Sequence, residues 1–223
     1  AARGGFTPSK RAGVRRELAQ PLFRNAYALM LNTVVNSGLG LLYWIVAAHA
    51  YSEEEVGRGN ALISLMVLVS TLTQLNFSGA LMRFLPRSGT RSKPLVLAAY
   101  GASSVVAVLA TAAVMAYCHF ARDPGDPLYA SAPFAVWFVV ATTAWSLFNL
   151  QDSALTGLSA STWIPLENGL YGLLKLILLV VVARTSLVDG VFVSWTLPVV
   201  ALLIPVNLLI FRRFLPRHAA QGA

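Results

Sequence analysis

Six apolar stretches, each about 20 residues or more, constrain this chain more than any other feature. They cover residues 25–50, 57–84, 94–120, 133–153, 163–184 and 191–211. A helix needs roughly 20 mostly apolar residues to cross a bilayer core, and a β-barrel strand about half as many. These lengths predict an all-α, polytopic membrane bundle of six transmembrane helices. The breaks carry turn or charge signals: Ser52-Glu53-Glu54-Glu55, Pro86-Arg87-Ser88-Gly89, Asp123-Pro124-Gly125-Asp126-Pro127 and Asp189-Gly190. The fourth break, 154–162, rests on Gly157, a Ser/Thr run and Pro165 in the first turn of the next helix.

Composition points the same way. Of 223 residues, 57% are hydrophobic and 12% are charged, where a soluble domain carries about a quarter charged. So apolar a chain is not disordered. A single Cys118 excludes a disulfide framework and a Cys-based zinc site, and His49, His119 and His218 are scattered. No phosphate-binding loop, nucleophile elbow or HExxH motif occurs, so neither an enzyme nor a bound metal or cofactor is expected. Ala48-His49-Ala50 has the look of a signal cleavage site, but the apolar run before it is too long and is interrupted by Asn32 and Asn36.

The net charge of +8 collects in clusters at 3–24, 83–93 and 212–217, each beside an apolar stretch. Such flanking clusters set topology and meet anionic lipid, so no nucleic-acid partner is expected. Six spans put thirteen Lys/Arg on one side, and only Arg58, Arg122 and Arg184 on the other. By the positive-inside rule both termini are then cytoplasmic, in a multi-pass plasma-membrane protein. The organisation expected is a basic surface segment at 1–24, a six-helix lobe at 25–211, and a cytoplasmic tail or linker at 212–223.

Polar residues inside the spans fall into lines. At 100° per residue, Asn25, Asn32, Asn36 and Tyr43 lie within about 20° of one direction. Asn60, Ser64, Thr71, Gln74 and Ser78 lie within about 40° of another, and Thr142, Ser146, Asn149 and Ser153 share a third. Ser, Thr and Asn often hydrogen-bond between packed helices. Four helices with polar lines (the fifth span's is Glu167, Tyr171 and Lys175) point instead to a shared water-accessible interior, with the third and sixth helices peripheral. Lys175 is the sharpest residue, since a cation near the midplane is costly unless paired or hydrated. Glu167 and Asp152 are its expected partners. Pro198 and Pro205 predict a kink in the sixth span. Gly38, Gly40, Gly169 and Gly172 read as close helix contacts, and Trp44, Trp137, Trp163 and Trp195 as interfacial aromatics.

Residues Tyr51-Ser52-Glu53-Glu54-Glu55-Val56-Gly57 and Gly79-Ala80-Leu81-Met82-Arg83-Phe84-Leu85-Pro86 resemble segments of the bacterial polysaccharide flippases, the Wzx-like family of the MOP superfamily. Gln151-Asp152-Ser153-Ala154-Leu155-Thr156-Gly157-Leu158 and Trp163-Ile164-Pro165-Leu166-Glu167-Asn168 resemble that family's fourth loop and fifth helix. The resemblance implies one lobe, the N-terminal, of a 12- or 14-helix transporter that works by alternating access. Its cargo would be an undecaprenyl-linked oligosaccharide, and the second six-helix lobe would come from the same polypeptide or a dimer. Asn32, Asn36, Tyr43, Asn60, Ser64, Thr71, Gln74, Asn149 and Lys175 would line the cavity. Arg24, Arg83 and Lys175 would attract the pyrophosphate, with Asp152 and Glu167 as charge-coupling candidates. Drug or cation efflux within the superfamily, or a non-transport part in polysaccharide assembly, are the competing readings.

Overall fold

The computed structural model describes residues 21–120, 132–185, 187 and 189–221, the side chains at 21–26, 28, 29, 118–120 and 221 excepted. The basic segment expected before residue 21 and nearly all of the 121–132 loop lie outside the described residues. Among the described residues eight α-helices follow in order: α1 Pro21–Ala50, α2 Glu53–Thr73, α3 Phe77–Phe84, α4 Ser92–Phe120, α5 Ala132–Gly157, α6 Ile164–Val182, α7 Gly190–Leu209 and α8 Leu215–Gln221. Six segments of the described residues are long and apolar enough to span a bilayer, the first Met30–Ala50 and the last Gly190–Ala220. The chain is an all-α, multi-pass membrane bundle.

The acidic turn after the first span is a helix start. Ser52 Oγ accepts from the Glu55 backbone N–H at 3.3 Å, and the Ser52 backbone N–H donates to the Glu55 carboxylate at 2.9 Å. This reciprocal capping box, with Glu53, Glu54 and Glu55 in the first turn, satisfies the free N–H groups and suits the positive end of the helix dipole. The second span, read as continuous over 57–84, is broken: Leu75 and Asn76 take φ of 45° and 61°, which no helix accommodates. Asn tolerates that left-handed region and Leu does not, so the break shows only weakly in the sequence.

The fourth break closes differently from expectation. The Ala160 N–H donates to Leu155 O at 2.8 Å and the Ser159 N–H to Thr156 O at 3.0 Å. With Ser159 at φ 56°, this is a Schellman end whose left-handed position holds Ser rather than Gly. Gly157 serves packing, since a Cβ there would lie 3.0 Å from Leu81 O.

Helix α5 packs against α2, α3, α4 and α7, while α1 rests on α6. The sixth span is therefore central and not peripheral: α7 also packs on α2 and α6. Its few polar groups understated its place, because its contacts are apolar. Among the described residues three apolar clusters hold the bundle, one around Leu81, Leu85, Val96, Leu150, Leu155 and Ile210. A second gathers Tyr43, Leu62, Met66, Phe138, Leu179 and Phe192, and a smaller third joins Ala144, Phe148, Tyr171, Val199 and Leu202. Helix α7 runs through Pro198 and Pro205 into a π-helical turn, Ile210–Phe214. The segment expected to be a tail continues as α8 and docks back, with His218 Nε2 3.0 Å from Leu85 O.

Candidate functional site: a polar cavity at bilayer depth

Helices α1, α5, α6 and α7 line a cavity of about 290 Å³, walled in part by Phe148 and Tyr171 of the third cluster. Helix α1 contributes Asn32, Asn36 and Gly40, and α5 contributes Trp145, Phe148, Asn149 and Asp152. Asn168, Tyr171 and Lys175 come from α6, and Trp195 from α7. Each helix repeats every 3.6 residues, so spacings of three, four and seven bring these side chains to one face. Helix α1 comes close because α6 carries glycine at the contact. A Cβ on Gly172 would fall 2.5 Å from Leu39 Cδ1, and one on Gly169 would lie 3.8 Å from Val35. Gly38 and Gly40, expected to play the same part, have nothing within 4 Å of a built Cβ.

The Lys175 ammonium defines the site. Its Nζ lies 3.6 Å from the Trp195 ring centroid, 5.0 Å from Tyr171 and 5.1 Å from Tyr43. Neither expected carboxylate pairs with it. Asp152 Oδ2 accepts from Asn168 Nδ2 at 3.1 Å, while Asp152 Oδ1 and both Glu167 oxygens have no hydrogen-bond partner. The cation is held by ring quadrupoles, an attraction of about 1–2 kcal/mol for a cation between full exposure and full desolvation. The rings support one another: Trp145 lies 6.0 Å from Tyr171 and 6.2 Å from Trp195.

Around the cation stands a set of amides. Asn36 Nδ2 donates to Asn32 Oδ1 at 3.2 Å, and Asn149 Nδ2 to Trp145 O at 3.0 Å. Two groups at the cavity residues are buried with no partner: the Trp195 indole N–H, a donor, and Asp152 Oδ1, an acceptor. Such atoms are costly to leave unmet.

The structure thus brings together Asn32, Asn36, Asn149, Asp152 and Lys175. The other sequence-derived residues lie elsewhere. Tyr43 is fully buried, its hydroxyl donating to Val191 O at 2.8 Å and lying 2.9 Å from Ser194 Oγ. Its ring is one of the three beside the Lys175 ammonium. Asn60, Ser64 and Thr71 lie on an exposed face of α2, and Gln74 sits at the break, bonded to Ser78 at 3.0 Å. This line does not join the cavity, because α2 turns its apolar face to α5 and α7. Arg83 is exposed on α3 with its guanidinium 5.5 Å from the Phe84 ring. Arg24 lies on α1, its side chain outside the described residues. Glu167 lines a separate apolar groove between α6 and α7.

Trp145, Phe148 and Trp195 were missed as cavity residues. Trp195 reads as interfacial from its place near the start of its span, and Trp145 stands mid-span, where the interfacial rule gives no reading.

At the opposite end from α8, Arg58 Nε and Asp189 Oδ1 are 3.3 Å apart, joining α2 to the turn before α7. Burial holds the Asp189 carboxyl above the usual carboxylate range, against the pull of Arg58. The Tyr51 hydroxyl donates to Leu179 O at 2.9 Å; burial and then the charge of Glu55 raise its pKa above that of an ordinary phenol. No family model, curated protein or solved structure matches this chain.

Proposed function

We propose that the chain is one six-helix lobe of a bacterial inner-membrane flippase that moves an undecaprenyl-linked oligosaccharide across the bilayer by alternating access. The observation that carries this reading is the cavity itself. It combines aromatic faces, amides, a carboxylate and one cation at a depth where polar groups are expensive. Amides and a carboxylate match sugar hydroxyls, indole and phenol rings match the apolar faces of pyranose rings, and Lys175 matches a pyrophosphate. A fixed cation repels a cationic drug, which favours the anionic cargo over drug efflux. At about 290 Å³ the space is near the lower end of ligand sites, about 300–1,000 Å³, so it takes one part of a larger cargo.

The exposed faces support a second lobe. Only 11% of the first span is buried, against 33–44% of the others. The exposed Asn60, Ser64 and Thr71 are a poor surface for lipid and a good one for water or a polar partner. The Lys/Arg asymmetry supports cytoplasmic termini, which puts Asp152 and Asn168 nearer the cytoplasmic leaflet than Trp195.

Binding of an undecaprenyl-pyrophosphate oligosaccharide to the chain in lipid nanodiscs tests the reading. Lys175→Met is expected to weaken it about 10- to 100-fold, the worth of a hydrogen bond to a charged group. Wild-type protein that binds plain undecaprenol as tightly as the saccharide-linked form contradicts it.

A further inference from the structure

We infer that the groove between α5 and α7 binds one anionic diacyl phospholipid from the leaflet at the Lys/Arg-rich end of the bundle. Arg212 takes the phosphate, Asn207 an ester carbonyl of the glycerol backbone, and the apolar wall an acyl chain. The groove lies apart from the polar cavity, and the inference holds whatever that cavity carries.

The order of chemistry along one helix face carries the argument. The groove measures about 410 Å³, within the usual range of ligand sites, and Leu147 of α5 forms one wall. The other wall is Leu203, Ile204, Asn207, Phe211 and Arg212, from α7 and its π-helical turn. Steps of four residues keep these side chains on one face. At 1.5 Å per residue Asn207 lies about 6 Å beyond Leu203, and Arg212 about 7 Å beyond Asn207. Aliphatic, amide and cation thus follow one another toward the membrane surface, as acyl chain, ester carbonyl and phosphate do in a phospholipid. The walls are fixed without a ligand. Gln151, fully buried, donates from Nε2 to Leu203 O at 3.1 Å and joins α5 to α7 at the deep end. At the shallow end the Phe211 ring meets the Tyr100 ring edge to face, with centroids 6.3 Å apart.

The two polar residues of the groove suit that occupant. Asn207 is half-buried and its Oδ1 is buried without a hydrogen-bond partner, which leaves Nδ2 as the polar end open to the groove. An amide at this depth is costly unless it is met, and an ester carbonyl accepts from Nδ2. Arg212 is exposed and is the charged residue of the lining. Among the described residues no carboxylate pairs with it. Helices α4 and α7 carry no Asp or Glu, and Asp152 of α5 lines the polar cavity instead. A guanidinium can fork onto two oxygens of one phosphate. Arg213, next in the chain, is turned to the Trp163 ring at 5.9 Å, so the positive charge at the groove is that of Arg212.

Asn207 separates this occupant from a polyprenyl phosphate, whose chain below the phosphate offers no acceptor and leaves the amide unmet. The apolar wall separates it from a free phosphate, which leaves Ile204 and Leu208, 66% and 46% exposed, uncovered. Charge separates it from a zwitterionic lipid, whose ammonium Arg212 repels.

Native mass spectrometry of the full chain in detergent, with phosphatidylglycerol and phosphatidylcholine supplied in competition, tests this. One phosphatidylglycerol is expected to be retained in preference to phosphatidylcholine. Arg212→Gln is expected to weaken that binding about 5- to 10-fold, the worth of one cation at an anionic surface. Arg91→Gln removes an exposed cation of the same end outside the groove and is expected to leave it unchanged. Ether-linked phosphatidylglycerol, which lacks the carbonyls, is expected to bind wild-type chain about 3- to 10-fold more weakly than the ester form. In Asn207→Leu the two forms are expected to bind alike. Ile204→Trp, at an exposed position, fills the groove and is expected to abolish the site. Equal retention of the two headgroups overturns the inference, as does equal loss in Arg91→Gln, which belongs to a diffuse basic surface. Undecaprenyl phosphate that competes as well as phosphatidylglycerol overturns the diacyl assignment. Competition by glycerol phosphate places an anion alone at Arg212 and overturns it too. A lipid-free dimer that Ile204→Trp breaks puts a second copy of the chain on the groove and overturns the lipid.

Discussion

The Lys175 ammonium lies 3.6 Å from the centroid of the Trp195 ring, two helices facing each other through one cation and one indole. That contact replaces the carboxylate pair the sequence led us to expect. It leaves Lys175 as a cation satisfied in part by rings, with a face toward the cavity.

Replacing Lys175 by Met removes a charge and keeps the stem, so folding stability is expected to hold or rise, as it often does when a buried ion gives way to an apolar group. Trp195→Ala is expected to cost about 2 kcal/mol or more, below the about 3–5 of a fully buried Trp. The change in the double variant is expected to differ from the sum of the two single changes by about 1–2 kcal/mol, the worth of the ring–cation contact. Denaturation in detergent of the four proteins measures this, and simple additivity counts against the contact.

Helix contact is tightest at two glycines. A Cβ on Gly59 would fall 2.6 Å from Val191 Cβ, an atom fixed by its own backbone, whereas one on Gly172 meets the flexible Leu39 side chain. Gly59→Ala is therefore expected to destabilise by about 1–3 kcal/mol, and Gly172→Ala by less. Val191→Ala in the Gly59→Ala background is expected to recover part of the loss. Equal melting of all these variants contradicts the packing described.

The Arg58–Asp189 pair makes a prediction with a definite sign. Burial raises the Asp189 carboxyl above its ordinary value, so the folded chain binds that proton more tightly than the unfolded chain. Its contribution to stability is full below the unfolded pKa of about 3.9 and is lost as pH rises through the folded value. Asp189→Asn is expected to flatten this part of the stability profile when melting is followed from about pH 4 to pH 7. Identical wild-type and variant profiles contradict it.

The exposed line on α2 distinguishes lipid from water or a partner. In a Cys118→Ser background, cysteines at Asn60 and Ser64 are expected to react with a water-soluble maleimide in native membranes. Leu68, exposed on the same helix in the apolar series, is expected to be silent as Leu68→Cys. Equal silence at all three positions puts α2 against lipid and removes the support it gives to a second lobe.

Much of this was legible in the sequence, and the misses have physical reasons. A run of about 20 apolar residues has few ways to avoid spanning a bilayer, so the six spans are plain. Periodicity also put Asn32 with Asn36 on a shared face, whereas Glu167 and Lys175, joined in one line by the same rule, open to different spaces. What periodicity omits is where a face points: the line from Asn60 to Gln74 is real, yet it faces out. It also assumes an unbroken helix, and the left-handed Leu75 and Asn76 end one. Trp195 carried no local mark separating a cage wall from an interfacial ring.

The central claim is that water reaches Lys175 at bilayer depth. Lys175→Cys, in the Cys118→Ser background and in native membranes, is to be treated with a small water-soluble methanethiosulfonate reagent beside Leu179→Cys, which replaces a fully buried core residue one turn along the same helix. The account predicts modification at position 175, slowed by undecaprenyl-pyrophosphate oligosaccharide, and none at 179. A cysteine at 175 as unreactive as the one at 179 contradicts it.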